Sequence, residues 1–178
     1  MRILVVYATT DGQTRKIARF AADHLTDLGH ATELLNAADT EGLDLGRFGA
    51  AVLAGSLHAG GFQKTLAAFA KDNAAALNAK PTLFLPVSLS AAGNDEEDWK
   101  GLRACVDGFL DQTGWQPTRT AHVAGAFRFT EYDFFRAWAM RRIADAKQQV
   151  VDPHSDKEYT DWPALAAALT AWQAACIA

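Results

Sequence analysis

Cysteine is scarce in this chain. Only Cys105 and Cys176 occur, far apart and without the spacing of a metal site or a redox pair, so they read as incidental thiols of a reducing compartment. Long hydrophobic runs are missing as well. The run Ile3–Tyr7 is too short for a signal peptide and enters a polar loop directly. No stretch approaches the roughly 20 apolar residues of a membrane span. Positive charge is not in excess either: a net charge of −4 gives no basic field for nucleic acid. There is no internal repeat and no low-complexity tract. What these absences leave is a soluble, cytoplasmic chain, and 178 residues with 49% apolar content are enough for a single domain with a full core.

What is present is an alternation of short apolar runs with helical periodicity. Ile3–Tyr7 reads as a strand buried on both faces, the kind found in parallel sheets. Apolar residues at helical spacing follow from Thr14 to Leu28, and Gly29 offers a C-cap. Further strands are expected at Ala31–Leu35, Ala50–Ala54, Thr82–Val87 and Thr120–Gly125. Helices are expected at Phe62–Leu77, Asp98–Thr113 and Trp162–Cys176. Strand and helix in turn indicate an α/β fold with an open, parallel, doubly wound sheet. With five strands the order 2-1-3-4-5 is expected, with a ligand crevice beyond the carboxyl ends of strands 1 and 3. One segment is extra to that plan. Ala126 to Asp161, between strand 5 and the last helix, holds an aromatic group (Phe127, Phe129, Tyr132, Phe134, Phe135, Trp138) and a basic stretch (Arg136, Arg141, Arg142, Lys147). It reads as an insertion within one domain spanning 1–178.

Three small-residue loops fall at the crevice. The first is Thr9-Thr10-Asp11-Gly12-Gln13-Thr14. Successive N–H groups, hydroxyls and the start of a helix there favour an anion, and Gly12 turns the chain without a Cβ in the ligand's way. The loop has no Lys at Walker spacing and no G-x-G-x-x-G turn, so a phosphate monoester suits it, and flavin mononucleotide (FMN) carries one. Asp11 repels a phosphate and is expected to turn away and cap the helix that follows. Arg15 stands either to offset that charge or to be a solvated helix residue. The second loop, Ser56-Leu57-His58-Ala59-Gly60 with Gly61, permits close backbone approach to a flat ring. The third is Ser88-Leu89-Ser90 with Ala91-Ala92-Gly93. No metal-ligand cluster is legible.

The strand followed by Thr-Thr-Asp-Gly-Gln-Thr-Arg resembles the flavodoxin-like fold, and more closely the menaquinone-dependent protoporphyrinogen oxidases. Trp115-Gln-Pro, Val123-Ala-Gly-Ala-Phe-Arg-Phe and Tyr159-Thr-Asp-Trp162 are similar to that family's fifth strand, the opening of its insertion and the motif that closes it. The resemblance spans nearly the whole chain. It implies that Thr9, Thr10, Asp11, Gly12, Gln13 and Thr14 bind the flavin phosphate. Ser56, Leu57, His58, Ala59 and Gly60, with Ser88, Leu89 and Ser90, would border the isoalloxazine ring. The implied activity is oxidation of protoporphyrinogen IX with a membrane quinone as acceptor, in haem biosynthesis. The alternative is an FMN electron carrier that passes electrons between protein partners. Two departures stand out: Leu57-His58-Ala59-Gly60 where family members carry an aromatic and an arginine, and the acidic run Asp95–Asp98 near the crevice.

Several residues carry two readings. His58 is the one titratable side chain expected beside the ring, either a proton-transfer group or a loop histidine. His24, His30, His122 and His154 read as structural or surface residues, and Trp99, Trp115 and Trp172 as packing. The acidic run reads as a solvated helix start. The insertion's aromatics suit a core or lid, or else a docking surface for a partner or for the inner membrane as a peripheral contact.

Overall fold

Alternation of side chains across each strand lets one run of residues serve two cores. The computed structural model describes residues 1–127 and 157–176. In β1 (Arg2–Ala8), Ile3, Leu4, Val5 and Val6 are all fully buried. Ile3, Val5 and Tyr7 pack with Ile17 and Leu25 of α1 (Gln13–Asp27), while Leu4 and Val6 face the other way.

β2 (Ala31–Asn36), β3 (Ala50–Ser56) and β4 (Thr82–Ser88) join β1 in a parallel sheet, with α2 (Lys64–Asp72), α3 (Ala74–Asn78) and α4 (Glu96–Thr113) between and after them. Leu66 and Phe69 of α2 and Leu102 and Val106 of α4 close the second core on the face of Leu4 and Val6. The last helix, α5 (Trp162–Cys176), lies on the α1 face through Leu165, Leu169 and Trp172. The sheet order is β2-β1-β3-β4-β5, the edge strand β5 being Arg119–Thr120. Ala8 pairs with Gly55 and Ser56 with Val87, which brings the loops after β1, β3 and β4 to one edge.

Two elements differ from the sequence reading. The expected helix Phe62–Leu77 starts only at Lys64 and is interrupted at Asn73, whose side-chain amide donates to the Phe69 carbonyl at 2.9 Å and so competes with the helix's own bonds. The expected strand Thr120–Gly125 is two short pieces, β5 (Arg119–Thr120) and β6 (Val123–Ala124), both paired with β4. Pro86 accounts for the break. Ala121 N–H donates to the Phe84 carbonyl and Gly125 N–H to the Ser88 carbonyl, so every second residue of β4 faces this edge. Pro86 stands between them with no N–H to give. β7 (Ala126–Phe127) and β8 (Lys157–Glu158) form a separate antiparallel pair. The other insertion residues named above lie outside the described residues, as does His154.

The acidic run is a helix start: the Asp95 carboxylate accepts from Asp98 N–H at 3.0 Å, and Glu96, Glu97 and Asp98 occupy the first turn of α4, where the helix dipole favours negative charge. Trp115 and Trp172 are fully buried, and Trp115 Nε1 donates to Thr82 Oγ1 at 3.2 Å. Both cysteines are free and half-buried.

Candidate functional site

Residues 9–12 turn from β1 into α1. Gly12 sits at φ 88 immediately before the helix, a conformation that disfavours any residue with a Cβ. Its N–H donates to Thr9 Oγ1 at 2.9 Å. No side chain caps the first turn of α1, so its leading N–H groups remain open toward the crevice. This corrects the expectation for Asp11. Its carboxylate does not cap the helix: Thr9 takes the Gly12 N–H, the first-turn N–H groups receive no side chain, and Asp11 Oδ1 is buried without a hydrogen-bond partner among the described residues. Thr14 is buried, while Arg15 is exposed.

Gln13 and Thr10 are committed elsewhere through their side chains. Gln13 Nε2 donates to Thr160 Oγ1 at 2.9 Å, and Thr160 in turn donates to the Ala124 carbonyl at 2.7 Å. Thr10 Oγ1 accepts from Gln63 Nε2 at 3.1 Å, while Gln63 Oε1 accepts from Ser56 N–H at 3.2 Å. Gln63 therefore ties the loop after β1 to the loop after β3.

That second loop is a tight turn. His58 and Gly61 exchange both backbone bonds, at 2.9 and 3.0 Å, and Ala59 (φ 47) and Gly60 (φ 82) fill its centre. Positive φ at both central residues is the mirror-image turn that suits a hairpin. Leu57 N–H donates to the Val87 carbonyl at 2.8 Å and pins the turn to β4. A Cβ on Gly60 or Gly61 would meet nothing within 4 Å, whereas one on Gly55 would lie 2.5 Å from Leu66 Cδ2. The backbone is thus open on the crevice side and tightly packed behind. In the third loop, Ser88 Oγ accepts from Ala91 N–H at 3.2 Å, and Trp99 Nε1 donates to the Gly93 carbonyl at 2.6 Å. Leu89 and Ser90 are half-buried.

The segment Glu158–Trp162 leans on α1. Glu158 accepts from Trp162 Nε1 at 2.9 Å and faces Lys16 Nζ at 3.5 Å. Burial raises its carboxyl, but hydrogen bonds from Gln13 and Trp162 and the Lys16 charge outweigh this and hold it below the usual range. The Trp162 ring packs 5.0 Å from Phe20, and Asp161 Oδ1 caps α5 by accepting from Ala164 N–H. The sequence reading missed Gln63 and Glu158. Gln63 carried no signal, being one polar residue before a helix; Glu158 adjoins a motif that was recognised. Among the described residues no group of three or more His, Cys, Asp or Glu side chains is arranged to hold a metal.

The family model for the flavodoxin domain matches residues 4–153. A protoporphyrinogen IX dehydrogenase (quinone) of Escherichia coli strain K12 is 29% identical over 166 residues, covering 93% of this chain and 91% of that protein. The enzyme of that name from Leishmania major is 27% identical over 165 residues, covering 92% of this chain and 71% of its own. In structure, a short-chain flavodoxin associated with a PDU bacterial microcompartment aligns at a TM-score of 0.54 and 18% identity, over 82% of this chain and 99% of that one. Oxidised flavodoxin 1 from Bacillus cereus aligns at 0.51 and 14% identity, over 85% and 100%. With the family model matching residues 4–153 and the parallel sheet running in the order 2-1-3-4-5, the chain belongs to the flavodoxin domain family.

Proposed function

We propose that this protein is an FMN-dependent oxidoreductase that converts protoporphyrinogen IX to protoporphyrin IX and passes the electrons to a quinone. The observation that carries the reading is the uncapped start of α1, framed by the three loops, in a chain whose similarity to the named dehydrogenases covers 93% of its length.

The residues fit the cofactor. The open N–H groups at the start of α1 and the Gly12 turn hold the phosphate, with the helix dipole adding to the attraction. Residues 56–60 and 88–90 would border the ring, each loop held in its turn by hydrogen bonds from backbone N–H groups. Asp11 is the one misfit, a carboxylate oxygen buried in an anion loop. The flavin, once bound, supplies the redox chemistry. His58, half-buried in the turn, is the candidate for relaying a proton there. Neither bordering loop offers a Trp or Tyr to cover the ring, which would leave the ring face open to a flat substrate. Among the described residues no helix is long and apolar enough to cross a membrane.

The test is direct. The purified protein should show a flavin visible spectrum and should accelerate porphyrin fluorescence from protoporphyrinogen IX with a menaquinone analogue under anaerobic conditions. A yellow protein that never accelerates it is an electron carrier instead. A colourless protein that takes up no FMN sinks both readings.

A further inference from the structure

Pro86 interrupts the sheet edge between β5 and β6, and a cavity of about 220 Å³ opens beside that interruption. Alanines predominate among its lining residues, Ala91, Ala124, Ala164 and Ala168 among them, and its polar members are His122 and Asp161. Asp161 already serves as the α5 cap through Oδ1.

His122 is the uncommitted group. Among the described residues its Nδ1 is buried without a hydrogen-bond partner, whereas Nε2 is not left in that position. An N–H buried without an acceptor is rarer and costlier than a buried bare acceptor, so the ring proton belongs on Nε2. Burial, and then the charge of Arg103, push the imidazole below its ordinary value, which keeps it neutral near pH 7. Trp99 meets the ring edge-on with centroids 5.3 Å apart and fixes its orientation. The result is an oriented neutral donor at the wall of an alanine-lined space.

A matching ligand has a flat apolar body, accepts a hydrogen bond and bears no negative charge, since Asp161 is a carboxylate. A porphyrinogen fails on size, because pockets for drug-sized ligands already run to roughly 300 Å³ or more, and it fails on its propionates. A quinone ring satisfies all three. The cavity also adjoins the loop after β4: Ala124 pairs with Ser88, and Ala91 donates its N–H to Ser88 Oγ. We propose that this cavity seats the ring of the quinone acceptor, with His122 Nε2–H donating to a quinone carbonyl. The proposal rests on the oxidoreductase reading above.

Binding is measured calorimetrically on the FMN-loaded protein with a dimethyl-naphthoquinone that has no free ring position for thiol addition. Ala168→Phe fills the cavity and should abolish saturable binding. His122→Leu removes the donor while keeping an apolar wall, and should weaken binding about fivefold, the worth of one neutral hydrogen bond. Should Ala168→Phe fail to fold, His122→Leu decides alone. Wild-type affinity in the folded variants, or no saturable binding by the wild type, overturns the assignment. The two ideas fail separately. If porphyrin forms with quinone at an unchanged quinone KM in the variants, the cavity is wrong and the activity stands. If the quinone binds and the variants weaken it but no porphyrin forms, the activity is wrong and the cavity stands.

Discussion

Asp11 concentrates the conflict between stability and ligand binding in one side chain. Its Oδ1 is buried and has no hydrogen-bond partner among the described residues, and it stands in a loop whose neighbouring N–H groups favour an anion. An unsatisfied buried oxygen costs about 1–3 kcal/mol. Asp11→Ala should therefore raise the stability of the flavin-free protein by about 1 kcal/mol, read as a higher Tm or denaturant midpoint. The same change removes a negative charge beside the phosphate, so FMN should bind several-fold tighter while riboflavin, which lacks the phosphate, gains nothing. A loss of affinity for both flavins would show instead that the buried oxygen receives a hydroxyl of the ribityl chain.

Between elements, the decisive contact joins the segment after β8 to the first turn of α1. Thr160 links Gln13 to the Ala124 carbonyl through one hydroxyl. Thr160→Val keeps the shape but leaves the Gln13 amide and that carbonyl each short of a bond, at a cost of about 1–2 kcal/mol. Because Gln13 is the first residue of α1, FMN affinity should fall as well, although Thr160 has no role in holding the flavin. Thr160→Ser should restore both; an unchanged FMN Kd in Thr160→Val would disconnect the segment from the phosphate loop. The sequence showed much of this architecture. Hydrophobic spacing located β1, α1 and α5 to within a residue or two, since their burial patterns are regular. It did not show that Asn73 cuts α2 from α3, because a side chain competing for one carbonyl leaves the apolar period intact. Pro86 was visible, yet its effect depends on which side of β4 its missing N–H faces, and that is known only once the sheet is assembled. The loops themselves were legible by composition. The Gln63 tie was not, because it joins residues 53 positions apart. The Asp11 cap expected from the sequence is not made, and Thr9, which the sequence did not mark as a capping residue, takes the Gly12 N–H.

At the scale of the whole molecule, acid should act on both ends of the sheet. His30 lies just before β2, with both ring nitrogens buried and without a hydrogen-bond partner among the described residues and the N-terminal strand alongside. His122 lies at the opposite end, just before β6. Burial lowers both, reinforced by the N-terminal ammonium at His30 and by Arg103 at His122. A group whose folded value is depressed takes up its proton in the unfolded chain first. Stability is therefore complete above the ordinary histidine value of about 6.5 and falls as pH drops from there toward the folded values. Glu158 has the same sign in a lower window, since its folded carboxyl is held below the usual range, and its contribution disappears only as pH falls below about 4.5. Acid unfolding should thus begin in the histidine range and steepen in the carboxylate range. Following Tm from about pH 8 to about pH 5.5 isolates the first stage. The wild type should lose stability across that interval, and the double variant His30→Asn, His122→Asn should lose distinctly less, because asparagine carries no proton to take up. A flat wild-type profile, or the same slope in the double variant, would place the pH sensitivity elsewhere in the chain.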